Sequence, residues 1–262
     1  MAIHIDLNRL LDVALRGVRR ASVFMGLGVN AALDPAFKSY QLSSIPGVQV
    51  VPGDLPEEKV DHYKEEFRLW VEAGGLRELA ETFAVYLDEV YRTCLLVDSA
   101  GQKRAMRDIE KAQARFSKEG LPNKANNLAQ QFGIRLRHTE SFVSLGQARN
   151  CLVHRRGIVG ERDLREASHL TVRWLGPDLI LTQSDGGEVS LRGENLPFHV
   201  EQESMLGIRM VERERAFGIG EKVSFSTGDL AEICWFYARE ARDVIAGVQT
   251  FALQRNIPTR SV

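Results

Sequence analysis

The sequence predicts a mainly α fold: an up-and-down helical bundle with a small antiparallel β insertion before its last helix. Three observations carry this expectation. Apolar residues recur at three–four spacing through the first half and again near the end. Residues 170–226 switch to short alternating segments. Clusters of proline and glycine punctuate the periodic stretches. The expected organisation is a bundle over residues 1–160, a β insertion over 168–226 and a closing bundle helix over 228–254.

Asp6 is placed to cap a first helix, whose apolar stripe is Leu7, Leu10, Leu11, Ala14, Leu15 and Val18. That helix should reach about Ala32 and stop at Asp34-Pro35. Residues 36–56, with Pro46, Pro52 and Pro56, read as a loop. A second helix begins near Glu57, is interrupted at Gly74-Gly75, and resumes with Leu76, Leu79, Phe83, Leu87, Val90, Tyr91 and Cys94 facing a core. A charged helix follows over 102–118, and Asn123 caps a short one through about Phe132. The next spans Thr139 to His154, with Phe142, Val143, Leu145, Leu152 and Val153 as core positions and Gly157 as its stop. In the β region, Leu170–Trp174, Leu179–Leu181 and Lys222–Ser226 read as strands, with Asp185-Gly186-Gly187 as a hairpin turn. The last helix opens at Asp229, with Glu232 completing a capping box, and presents Ile233, Phe236, Tyr237, Val244, Ile245 and Val248.

Composition narrows the function classes. The chain has 262 residues, 44% hydrophobic and 26% charged, with a formal net charge of −1. Affinity for nucleic acid must then come from a local patch, and one exists. Between Arg135 and Arg156 lie Arg135, Arg137, Arg149, Arg155 and Arg156 against Glu140 alone. Cys94, Cys151 and Cys234 are widely spaced in apolar helical contexts, a pattern of buried free thiols rather than of zinc ligands or a disulfide framework. The first residues carry acids and arginines within their apolar pattern, and no 18-residue apolar run occurs. No membrane is expected, and the reading is cytoplasmic.

The densest chemistry lies in Arg149-Asn150-Cys151-Leu152-Val153-His154. Side chains four apart share a helix face, which puts Asn150 and His154 together, and the long stem of Arg149 lets its charge swing toward them. The pairing is one fixed cation with one group that trades protons near neutral pH. RNA carries its own nucleophile, the 2′-OH beside the scissile phosphate, so proton transfer and charge stabilisation suffice for cleavage. In that reading His154 is the acid–base group and Arg149 stabilises the phosphorane-like transition state. Asn150 orients His154 or a phosphate oxygen, and Arg155 and Arg156 contact phosphates regardless of sequence.

The run Arg149-Asn150, three residues, His154, at the end of a bundle helix and followed by Arg155-Arg156-Gly157-Ile158-Val159, resembles the signature of HEPN domains. The likeness spans the helices of residues 1–157 and the closing helix 229–253, and does not account for the β insertion. It implies a dimeric helical bundle and a metal-independent endoribonuclease of toxin–antitoxin or antiphage defence type, with no cofactor. Arg149 matches the motif arginine, Asn150 its polar position and His154 its histidine. It also implies RNA as substrate, and an antitoxin or sensing protein as partner. One histidine cannot be base and acid at once, so a twofold dimer uniting two such helix ends would complete the site. The products would be 2′,3′-cyclic phosphate and 5′-OH ends. The alternative is a non-catalytic HEPN-like module for dimerisation or for nucleotide or protein binding.

Other patterns carry less. Arg162…His169 and Arg192…His199 also satisfy a loose Arg-x6-His, yet neither arginine is followed by asparagine. Gly26-Leu27-Gly28 is too short for a phosphate loop. Glu65-Glu66, Glu78 and Glu81 read as solvated helix faces, and Trp70, Trp174 and Trp235 as packing residues.

Overall fold

A computed structural model describes residues 5–42, 50–100, 105–164, 168–184, 186–191 and 204–260. The described elements, in chain order, are β1 (Ile5–Asp6), α1 (Leu7–Leu33), α2 (Glu57–Ser99), α3 (Met106–Phe116), α4 (Leu121–Phe132) and α5 (Thr139–Arg155). A 3₁₀ turn (Glu161–Asp163) precedes β2 (Leu170–Gln183), β3 (Glu188–Ser190), β4 (Ser204–Phe217), α6 (Thr227–Gln254) and β5 (Thr259–Arg260). The fold is mainly helical with a small antiparallel sheet of order β3-β2-β4, and β1 pairs in parallel with β5. Among the described residues no helix is long and apolar enough to cross a membrane.

α1 begins where its sequence places it: the Asp6 carboxylate accepts from the Arg9 amide at 3.0 Å. α2 departs from expectation, running unbroken for 43 residues through Gly74-Gly75. Gly75 is there for proximity, since a Cβ on it would stand 2.2 Å from Met25 Sδ; Gly17 and Gly28 of α1 similarly abut Thr82 and Val71. These pairings run in opposite directions along the chain, so α1 and α2 are antiparallel and closely approached. A glycine reads as a helix breaker by propensity, at about 1 kcal/mol against alanine. Here close packing outweighs that cost.

The core is one continuous cluster. Phe142 of α5 stacks on Phe83 of α2 at 4.6 Å between centroids and meets Phe236 and Tyr237 of α6. The Tyr86 hydroxyl donates to the Ala241 carbonyl at 2.7 Å. Tyr91 stacks on Phe116 at 3.9 Å, and buried Lys124 joins Asp88 at 2.6 Å, fastening α3 and α4 to the end of α2.

Several local expectations are revised. Asn123 lies inside the first turn of α4, which Gly120 and Pro122 open. α6 starts at Thr227, capped reciprocally by Ser226 and Asp229, so Glu232 is not the cap partner. Its carboxylate instead accepts from the Trp174 indole at 3.0 Å. The segments 170–174 and 179–181 form one 14-residue strand, and 222–226 contributes only an isolated bridge, Lys222 to Ile158. Asp185 of the expected turn lies outside the described residues, as do Pro46 and the Arg192…His199 pair. The sheet shares the bundle's core: Leu170, Val172 and Trp174 are at most 1% exposed, and the Arg173 amide donates to Ser144 Oγ of α5 at 2.9 Å. Val153 is 47% exposed, whereas Phe142, Leu145 and Leu152 are buried as expected.

Candidate active site at the end of α5

α5 buries Phe142, Leu145, Ala148, Cys151 and Leu152, a three–four stripe against α2, α6 and β2. The stripe turns Asn150 and His154 to the opposite, exposed side of the helix. Arg149 lies at the flank, half-buried, with Nε and Nη2 donating to Asn150 Oδ1 at 3.2 and 2.8 Å. Asn150 therefore holds the guanidinium rather than the imidazole. Burial pushes the Tyr237 phenol up, and the Arg149 charge opposes that shift.

His154 makes no ion pair among the described residues. His138, immediately before α5, is different: its Nδ1 stands 2.7 Å from Glu240 Oε1. Glu240 is 1% exposed, and burial raises its pKa against the opposing pull of His138. His169, of the Arg162…His169 pair, has its Nδ1 2.7 Å from Ser168 Oγ on the exposed connection before β2.

The two arginines after His154 part company. Arg155 donates from Nε to Asp163 Oδ2 at 2.7 Å, and its Nη2 engages Oδ1 of the same carboxylate. Asp163 is 5% exposed and also accepts from the Gly160 amide at 2.9 Å. That guanidinium is a staple across the turn after α5 and is not presented to a phosphate. Arg156 is exposed, with φ 53°, and makes no ion pair among the described residues. Gly157 follows at φ 79°, its amide donating to Cys151 O at 3.1 Å and its carbonyl accepting from Val223 at 2.8 Å. Arg135 and Arg137 are exposed. The basic run is thus real on the surface at 135, 137 and 156, and neutralised at 155.

Two features escaped the sequence reading. Trp70 is 71% exposed, against its assignment to packing, while Trp174 is 1% exposed and does pack. Trp70 lies in a groove of about 650 Å³ between α2 and the end of α5, whose lining includes Val153 and Arg156. The other is Glu72, 0% exposed, whose Oε1 meets Arg68 Nη1 at 2.7 Å while Oε2 finds no hydrogen-bond partner among the described residues. Burial pushes Glu72 up to about 7, against the pull of Arg68 and Lys222 and aided by neighbouring Glu65. Glu65 itself is held down at about 2, chiefly by Arg68.

The cysteines are buried free thiols, pushed by burial to about 12 at Cys94 and about 11 at Cys151 and Cys234. Among the described residues no three His, Cys, Asp or Glu side chains converge as metal ligands do. No family model matches the chain, and neither a curated protein nor a solved structure matches it significantly.

Proposed function

We propose that this chain is a HEPN-type, metal-independent endoribonuclease that cuts RNA by attack of a 2′-OH on the adjacent phosphate. The observation that supports it best is the segregation on α5. His154 is exposed and has no ion-pair partner among the described residues, one turn from an arginine whose guanidinium is held by Asn150, while the neighbouring Arg155 is consumed by Asp163. In this reading the His154 imidazole accepts the 2′-OH proton as the oxygen attacks phosphorus. A second imidazole, from another copy across a twofold axis, protonates the departing 5′ oxygen. Arg149 neutralises the charge that accumulates on the non-bridging oxygens. Arg156 is the phosphate-positioning cation next to this centre; Arg155 has a structural task.

The same reading makes the chain a cytoplasmic toxin or antiphage effector, controlled by an antitoxin or a sensing protein. RNA cleavage by wild type, Arg149→Ala and His154→Ala proteins in EDTA tests it. Wild type should leave 2′,3′-cyclic phosphate and 5′-OH ends, and both variants should lose cleavage while staying folded. Full RNase activity in both variants would end the proposal and leave the non-catalytic HEPN-like module in its place.

A further inference from the structure

Trp70 is the side chain in the molecule most in need of a physical reason. A large indole left 71% exposed on the middle of a long helix contributes little to the core. It flanks Phe67, with ring centroids 6.2 Å apart and planes 21° apart; Phe67 faces a neighbouring groove, and Trp70 is the aromatic ring that lines the one beside α5. The groove beside it, about 650 Å³, falls within the range of roughly 300–1,000 Å³ typical of small-ligand sites. Its opposite side is α5, through Leu152, Val153 and Arg156, the residues on either side of His154 in sequence.

The charges of the groove are not equally available. Glu81 is bonded by Arg77 at 2.9 Å, Glu78 lies 3.5 Å from Arg20, and Glu66 lies 3.8 Å from His62. Arg156 is the lining cation with no carboxylate partner among the described residues. An aromatic face and an unpaired guanidinium on opposite sides of one groove match the two parts of a nucleotide: a base that stacks and a phosphate that carries charge. The glutamates add acceptors for amino groups on the base edge.

We infer that this groove is a nucleotide subsite for single-stranded RNA, with an unpaired base on Trp70 and its flanking phosphate on Arg156. The subsite rests on the endoribonuclease reading and adds what that reading lacks, a means of holding the strand beside His154. An aromatic platform binds unpaired bases and not a closed duplex, so the substrate class is single-stranded or looped RNA.

The test is binding of a short 2′-O-methylated oligoadenylate, which has no 2′-OH nucleophile, followed by tryptophan fluorescence and by titration against salt. Wild type should bind with quenching. Trp70→Ala should weaken binding roughly ten-fold or more, and Trp70→Phe should restore most of it. Arg156→Gly, which also suits the positive φ at that position, should weaken binding and lower the salt dependence by about one counterion. In cleavage assays Trp70→Ala should raise KM and leave kcat. Trp70→Ala binding like wild type would overturn the subsite, and if His154→Ala still abolishes cleavage, the parent reading survives. Trp70-dependent binding with cleavage indifferent to His154 would instead fault the catalytic assignment. Absence of oligonucleotide binding, with a dimer by light scattering that Trp70→Ala dissociates, would assign the groove to a second protein copy and overturn the proposal.

Discussion

α5 carries a histidine at each end, and the two are in opposite circumstances. His138, before the first turn, sits against Phe236 with its Nδ1 on a carboxylate that is 1% exposed. His154, in the last turn, is exposed and makes no ion pair among the described residues. The same side chain is a structural tie in one place and, in the other, a solvent-facing imidazole with no ion-pair partner among the described residues. What separates them is the partner each finds across space: α6 lies over the first, solvent over the second. A parallel contrast holds for Arg155, clamped by Asp163, and Arg156, which has no such clamp.

The largest expected effect sharpens this contrast in activity. His154→Ala should reduce RNA cleavage by roughly 10²–10⁴-fold, the usual worth of acid–base catalysis, with the melting temperature unchanged. Arg149→Ala should cost about 10²–10³-fold, the scale of losing one transition-state hydrogen-bond donor set, again without unfolding. Asn150→Ala frees the guanidinium without removing its charge, so its effect on cleavage should be smaller than that of Arg149→Ala.

The next predictions concern stability and invert the ranking. His138→Ala leaves Glu240 buried without its partner, and Arg155→Ala does the same to Asp163; each should destabilise by about 3 kcal/mol in denaturant titration. Asp163→Asn introduced with Arg155→Ala should recover part of that loss, because no unpaired charge then remains. Cleavage per folded molecule should survive in all of these.

The smallest effect is a pH dependence. Glu72 is raised by burial to about 7, so the folded state holds its proton where the unfolded chain has released it. Its contribution to stability is fully present below the ordinary carboxylate range and is lost as pH rises through about 7. Arg68, Glu65 and Lys222 are the charges that face it. Glu72→Gln should therefore flatten the fall in melting temperature between pH 5 and pH 8 relative to wild type. An unchanged slope would mean that Glu72 does not titrate there.

What the sequence disclosed followed from how local the cause was. The Asp6 cap, the stripe of α1, that of α5 apart from Val153, and the helix face shared by Asn150 and His154 depend on neighbours within a turn or two, and these were legible. The uninterrupted α2 was not, because Gly75 is explained by Met25 on another helix. Trp70 was misread because the first half of α2 carries apolar residues on more than one face, and only the fold decides that Leu69 is buried while Trp70 is exposed. Arg155 joined a basic patch on paper and left it once Asp163, eight residues on, turned back to meet it. Tertiary partners decide which members of a motif remain available, and the motif does not contain them.

The measurement closest to the centre of this account is single-turnover cleavage of a single-stranded RNA in EDTA by wild type, His154→Ala and His138→Gln, with product ends identified. Wild type and His138→Gln should leave cyclic-phosphate and 5′-OH ends, and His154→Ala should cleave slower by roughly 10²-fold or more. Cleavage by His154→Ala at the wild-type rate would contradict the role given to His154, as would loss through His138→Gln in a protein that is still folded.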